Sequence, residues 1–196
     1  MGRIYGTPGG GLQHAETWAK NQQVADLGRE GELRTAQILN QKAATPSGPT
    51  IIHDIMIPGL DPKYRANIDH LIIADTRILI LDSKVWKPGT YWTVFSKSFR
   101  GLTRVPHLDK QTMLMGRNGV TKFLAAHRLD ATIVCLVAAW SSSSQGQVNT
   151  MFARMPGANI IPAVRLDGWL DRHGFNRPAN PLLEGTLAQL TQKPAR

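Results

Sequence analysis

Asn67-Ile68-Asp69-His70-Leu71-Ile72-Ile73-Ala74, Asp75-Thr76 and Arg77-Ile78-Leu79-Ile80-Leu81-Asp82-Ser83-Lys84-Val85-Trp86 form the stretch on which the fold turns. Two runs rich in Ile and Leu, joined by two polar residues, predict adjacent antiparallel strands. If Asp75-Thr76 is a two-residue turn, Ala74 pairs with Arg77. Counting outward, Asp69 then falls directly opposite Asp82, with Cβ atoms about 4.5–5.5 Å apart. Lys84, two residues beyond Asp82, shares that face. Opposed carboxylates repel unless a cation lies between them, and a divalent metal with oxygen ligands resolves the conflict. Asp-Thr is not a favoured hairpin dipeptide, and a longer loop or a bulge there would break this register.

On the N-terminal side, residues 1–16, with Gly9-Gly10-Gly11, read as a flexible lead-in. Thr17 to Lys42 has helical periodicity, with Trp18, Val24, Leu27, Leu33, Ile38 and Leu39 as its apolar members. Gly28 and Gly31 weaken that helix by about 1 kcal/mol each and mark either a break or a close approach by another segment. Thr50 to Pro58 is a third strand. On the C-terminal side, Pro88 to Val105 alternates aromatic and polar residues and predicts a hairpin or sheet extension. Leu108 to His127 is a helix with Met113, Val120, Phe123 and Leu124 near one face. Ala131–Trp140 and Ile160–Leu166 are further strands, and short helices cover Leu166–Arg172 and Pro181–Gln192. Helix, three strands, helix, strand is the order of an α/β protein, an α+β mixed sheet flanked by helices. The expected organisation is a core over residues 17–128 that carries the motifs, with 129–196 completing the same domain.

The formal charge of +9 is unevenly spread. Residues 1–83 hold 8 Lys/Arg against 9 Asp/Glu, whereas residues 84–128 hold 9 Lys/Arg against Asp109 alone. Basic residues thus begin where the acidic pair ends, as a polyanionic partner requires. Lys87, Lys97, Arg100, Arg104, Lys110 and Arg117 are the candidates to hold a phosphate backbone; the bland reading is a solvated basic surface. Apolar runs are too short or too interrupted for a membrane span, since Ile68–Val85 contains Asp69, His70, Asp75, Arg77, Asp82 and Lys84. Neither a membrane partner nor a signal peptide is expected, and a cytoplasmic address follows by default. The single cysteine, Cys135, excludes an internal disulfide and a thiolate zinc cluster, and its apolar surroundings suit a packed side chain. His53, His107, His127 and His173 lack metal-ligand spacing, and His70 faces away from Asp69 in a strand.

Three spaced motifs resemble the nuclease-related domain, or NERD, family of the PD-(D/E)XK nuclease superfamily. They are Gly28-Arg29-Glu30-Gly31-Glu32-Leu33 on a helix, Ile68-Asp69-His70 opening a strand, and Asp82-Ser83-Lys84 ending the next. The resemblance spans roughly residues 25–125 and implies a restriction-endonuclease-like core. It assigns an acidic role to Glu32, metal binding to Asp69 and Asp82, and the catalytic lysine to Lys84. A glutamine with an asparagine about two turns later maps to Gln111 and Asn118. The residues alone leave Glu30 and Glu32 as competitors, because they point about 200° apart on a helix; they leave Gln111 equally readable as a surface amide and favour that reading for Asn118.

The implied activity is metal-dependent hydrolysis of phosphodiester bonds in DNA, with RNA still open and Mg2+ or Mn2+ as cofactor. Whether the chain works alone or as a homodimer is left open. One departure matters: the family usually carries glutamate where this chain has Asp82. A catalytically impaired nucleic-acid-binding module with the same fold is therefore the alternative, and a partner-docking domain a third reading.

Overall fold

The computed structural model describes residues 1–9, 22–60 and 66–191. In chain order these give β1 (Ile4–Tyr5), α1 (Gln22–Ala43), β2 (Thr50–Met56), β3 (Asn67–Ala74), β4 (Arg77–Trp86), β5 (Gly89–Val94), β6 (Lys97–Arg100) and β7 (Thr103–Arg104). Then follow α2 (Thr112–Ala126), β8 (Thr132–Ser141), β9 (Val148–Phe152), β10 (Asn159–Pro162), α3 (Leu166–Arg172) and α4 (Pro181–Ala188). A mixed sheet of order β1-β2-β3-β4-β8-β10 forms the centre, and a second sheet of order β7-β6-β5-β9 stands beside it. β2, β3 and β4 run antiparallel, whereas β8 lies parallel to β4 and β10 parallel to β8.

The middle strands are buried on both faces, which is why they read as unbroken apolar runs. Leu71, Ile73, Ile78 and Ile80 point to the side covered by α2 and α4, with Met113, Val120, Leu124 and Leu183. Ile72, Leu79, Leu81 and Leu136 point to the other side and pack with Leu39 of α1 and Leu166 and Leu170 of α3. Arg77–Trp86 is paired with β8 along its whole length, to Trp86↔Ser141.

The unfavoured Asp75-Thr76 turn does form, with Ala74 opposite Arg77. Asp75 takes a left-handed φ of 51°, a conformation that Asp tolerates better than most residues. The chain near the C-terminus clamps it: Asp75 donates its N–H to Pro178 O at 2.7 Å and accepts from Asn180 N–H at 3.1 Å.

Several expectations need correction. The flexible lead-in is not uniform, because Ile4–Tyr5 adds a parallel edge strand to β2 and Gly2 N–H bonds Ala43 O; residues 10–16, with Gly10 and Gly11, lie outside the described residues. Trp18 lies outside them too. Leu33 is 45% exposed rather than a core member. The strand expected over Ile160–Leu166 stops at Pro162 and tightens into a 3-10 turn at Ala163–Arg165. The helix expected from Leu108 begins at Thr112, after a separate 3-10 turn at Pro106–Asp109. β9 was not anticipated. Helix α1 runs unbroken through Gly28 and Gly31, and close approach is the reason for Gly31: a Cβ there would lie 2.6 Å from Val85 Cγ2. No helix among the described residues is long and apolar enough to cross a membrane.

Candidate active site

The β3–β4 ladder ends at His70↔Leu81, one position before Asp69 would meet Asp82. Beyond that point β3 stays with β2 as far as Asn67↔Met56, while β4 stays with β8. The sheet therefore forks, and this corrects the expectation of a directly opposed ladder pair. In the mouth of the fork the Asp69 carboxylate accepts a hydrogen bond from the Ser83 backbone N–H at 2.9 Å. Lys84 Nζ donates to Asp82 Oδ1 at 2.7 Å.

Charge crowding sets the protonation of the site. Burial pushes the Asp69 carboxyl well above the usual carboxylate range, and the nearby Asp82 charge pushes it further, against the pull of Lys84. Burial alone would lower the Lys84 ammonium, but Asp82, Asp69 and Glu32 together outweigh that and raise it. Lys84 is thus held as a cation.

Of the two glutamates on α1, Glu32 is the one turned into the protein. It is 8% exposed, whereas Glu30 is exposed and lies 3.8 Å from Arg34. Burial pushes the Glu32 carboxyl up to about 7; Lys84 opposes the shift, and the charges of Asp54 and Asp82 add to it. Glu32 comes from the helix on the sheet face opposite to that of Asp82, and the fork brings the two within electrostatic reach. Asp54 is a nearby acid that sequence reading missed. It has φ 52° and drops out of the β2–β3 pairing between His53↔His70 and Ile55↔Ile68; nothing in a regular apolar strand pattern signals such a break.

Behind the acids runs a buried polar chain. His70 Nε2 lies 3.2 Å from Ser83 Oγ, and Ser83 Oγ donates to Thr35 Oγ1 at 2.8 Å. Trp140 Nε1–H also donates to Thr35 Oγ1, and Thr35 donates to Gly31 O. In the other direction His70 Nδ1 lies 2.8 Å from His53 Nδ1, and His53 Nε2 lies 3.0 Å from Asn40 Oδ1. Burial lowers the His53 imidazole to about 4 and the His70 imidazole well below its ordinary value. Both rings are neutral near pH 7, so one proton lies between the two Nδ1 atoms. These residues fix β3, β4 and α1 relative to one another around the fork.

In front of the fork lies a cleft of about 680 Å3 lined by Asp69, Asp82 and Lys84. Of the expected backbone-holding residues, Lys87, Arg100, Arg104 and Lys110 line it. Lys97 and Arg117 are exposed but lie outside it. Arg104 is partly committed to the fold, since it donates to Ser98 O and pairs with Asp109. Gln111 is exposed at the N-cap of α2 and does not line the cleft, although Lys110 and Thr112 on either side of it do. Asn118 is likewise exposed and outside. Trp86 and His107 both line the cleft, with ring centroids 6.1 Å apart. Cys135 is buried and its thiol is pushed up to about 11 by burial, in keeping with packing rather than nucleophilic chemistry.

Asp69, Asp82 and Glu32 offer only oxygen donors, and burial together with the Asp82 charge raises the Asp69 and Glu32 carboxyls. That chemistry suits a hard divalent cation, which would remove the repulsion. Among the described residues, no three His, Cys, Asp or Glu side chains gather closely around one point, and Lys84 holds one oxygen of Asp82.

Comparison with curated proteins and with solved structures finds no match. The family model of the nuclease-related domain matches residues 27–130, over half of the chain and every motif from α1 to the end of α2. With α1, the Ile68-Asp69-His70 strand and the Asp82-Ser83-Lys84 strand meeting at one fork, the chain belongs to the nuclease-related domain family.

Proposed function

We propose that this protein is a metal-dependent nuclease that hydrolyses phosphodiester bonds in DNA. One observation carries the reading: two acids and a lysine converge at the sheet fork, at the wall of a cleft that is rimmed by basic residues. Asp69 and Asp82, with Glu32 as the third acid, would hold Mg2+ or Mn2+. A bound divalent cation polarises a phosphoryl oxygen and makes a bound water more acidic. Lys84, kept protonated by its three acidic neighbours, neutralises charge that builds on the phosphate in the transition state. Its raised pKa makes it a poor general base, so positioning and charge stabilisation are its roles. The Ser83 N–H fixes the orientation of Asp69, and Lys87, Arg100 and Lys110 hold the strand by its phosphates.

The test is cleavage of plasmid and oligonucleotide DNA in Mg2+, Mn2+ or EDTA, with wild type beside Asp82→Ala. Cutting that needs metal and is lost in the variant is expected, with affinity that falls steeply as salt rises. Cutting retained by Asp82→Ala would sink the site assignment. A second reading, a DNA-binding module with an impaired site, draws on the shorter Asp82 arm and its engagement by Lys84. DNA bound without metal and never cut is its signature.

A further inference from the structure

A second hollow lies among α1, α3, β9 and β10. Its volume of about 1470 Å3 exceeds the roughly 300–1,000 Å3 of a small-molecule pocket and suits a groove for a polymer. Leu27, Glu30, Arg34 and Val85 come from the segment that the family model matches; the other lining residues lie at or beyond Ala139, past its end. The hollow abuts the cleft, because Val85 and Met155 line both, and Val85 directly follows Lys84. Trp140 lines the hollow too, and its N–H donates to Thr35 in the buried chain that reaches Ser83.

Charge is the second observation. Four exposed arginines, Arg34, Arg154, Arg165 and Arg172, line the hollow against one acid, Glu30. Glu30 lies 3.8 Å from Arg34, whose guanidinium also lies over the Trp140 ring at 4.0 Å. The other three arginines make no ion pair with a carboxylate among the described residues. Helix α3 shows why. Arg165 and Arg172 are seven residues apart and share one side of the helix, whereas Asp167 and Asp171 fall on the opposite side. There both acids bind Lys42 of α1, at 2.6 and 3.0 Å. Arg154 is firmly mounted: its backbone N–H donates to Thr93 Oγ1 at 2.9 Å, and Arg154 O lies 3.2 Å from the same hydroxyl. Ser142, Ser143, Asn149 and Asn159 add exposed hydroxyl and amide groups to the lining.

We propose that this groove holds the sugar–phosphate backbone of DNA away from the cut, with Arg154, Arg165 and Arg172 each neutralising a phosphate. Arginines without acidic partners, together with neutral hydroxyl and amide donors, are the set that grips a nucleic-acid backbone without reading its bases. A single small anion does not fit the spacing, because two turns of α3, about 10 Å, separate Arg165 from Arg172. A chain of phosphates does. A polymer held in the cleft must also run past it, and the groove begins where the cleft ends. The segment after residue 130 thereby lengthens the contact with DNA beyond the family-matched core. The inference rests on the nuclease reading for the choice of DNA as the polyanion, but it is tested by binding alone.

The experiment measures, by anisotropy in EDTA, how the affinity for a duplex of about 30 bp falls as salt rises. Wild type is compared with the triple variant Arg154→Gln, Arg165→Gln, Arg172→Gln. A control triple, Lys122→Gln, Arg128→Gln, Arg177→Gln, removes the same charge from exposed residues outside both hollows. Each lost phosphate contact lowers the slope of log affinity against log salt by about 0.9, so the groove variant should lose roughly 2–3. The loss should be alike for unrelated duplex sequences, and the control should keep nearly the wild-type slope. An unchanged slope in the groove variant overturns the proposal, as does an equal loss in the control or a wild type that does not bind DNA. If the triple variant does not fold, Arg154→Gln alone decides: a slope lower by about one supports the groove, and an unchanged slope overturns it. The two readings fail separately. A slope lowered only by the groove variant, without cutting in Mg2+ or Mn2+, supports the groove and sinks the nuclease. Cutting that is lost in Asp82→Ala, with an unchanged slope in the groove variant, supports the nuclease and sinks the groove.

Discussion

Asp69 takes as its hydrogen-bond partner the Ser83 backbone N–H, 2.9 Å from Oδ2, where a continuing ladder would have offered a main-chain carbonyl. A side chain thus replaces a strand at the point where the sheet divides. The substitution satisfies a buried donor and holds one oxygen of a carboxylate whose charge is otherwise opposed by burial and by Asp82. Structure and site share this one contact.

Asp69→Asn separates the two duties. An amide oxygen can still accept from Ser83 N–H, while the charge that burial and Asp82 oppose is gone. Metal-free protein should melt about 2–4 °C higher for each kcal/mol of relieved repulsion, and cleavage should fall by about 10² or more. Thermal melts in EDTA beside a cleavage assay check both, and a lower melting temperature would show that the carboxylate stabilises the fold.

Lys84 should remain an ammonium throughout the working range. Three acids raise it, so its side-chain NMR signals should stay constant from pH 7 to pH 10. In Asp82→Ala the largest raising charge is lost, and its titration should move downward. A wild-type midpoint near pH 8 would contradict the charge crowding described here and would return Lys84 to the role of general base.

Strand order around the site was legible because β3 and β4 are apolar on both faces and only two residues separate them. The fork was not. Pairing arithmetic carries a ladder on indefinitely, and nothing in Ile68-Asp69-His70 says that β3 follows β2 while β4 follows β8. Choosing Glu32 over Glu30 needed the packing of α1, which Gly31 sets through Val85. Asp54 and Gln111 are placed by features the sequence pattern does not carry: a left-handed backbone residue brings the acid near the site, and a helix that begins later than its apolar pattern suggests leaves the glutamine exposed at its cap. Leu33 was misjudged because the face of α1 beside the sheet carries Gly31, Glu32, Thr35 and Ala36, small or polar groups that hydropathy does not mark as core.

The histidine pair and the acids should make stability depend on pH in opposite senses. His53, lowered to about 4, contributes stability that is full above the unfolded value near 6.5 and is lost as pH falls toward 4. Glu32, raised to about 7, contributes stability that is full below its ordinary value near 4.5 and is lost as pH rises toward 7. Wild type should therefore change little between pH 7 and pH 5. Glu32→Gln should lose on the order of 2 kcal/mol over the same interval as His53 protonates in the unfolded chain. Urea unfolding at the two pH values measures this; a flat Glu32→Gln profile would mean that His53 is not held neutral.

Gly31→Ala tests the contact that carries α1 onto the fork. Alanine favours a helix interior by about 1 kcal/mol over glycine, so an exposed glycine would gain from the change. Here the new Cβ would stand 2.6 Å from Val85 Cγ2 and 3.5 Å from Trp140 Cδ1, and overpacking of this kind costs about 1–3 kcal/mol. The clash should win or at least cancel the gain, and the helix should shift away from β4, carrying Glu32 and Thr35 with it. Cleavage should then fall further than stability does. Val85→Ala removes the opposing methyl groups, so the double variant should be more stable than the sum of the two single changes implies. Urea unfolding of the four proteins gives that coupling directly. A Gly31→Ala protein about 1 kcal/mol more stable than wild type, with no coupling to Val85, would show that the helix does not depend on close approach at this residue.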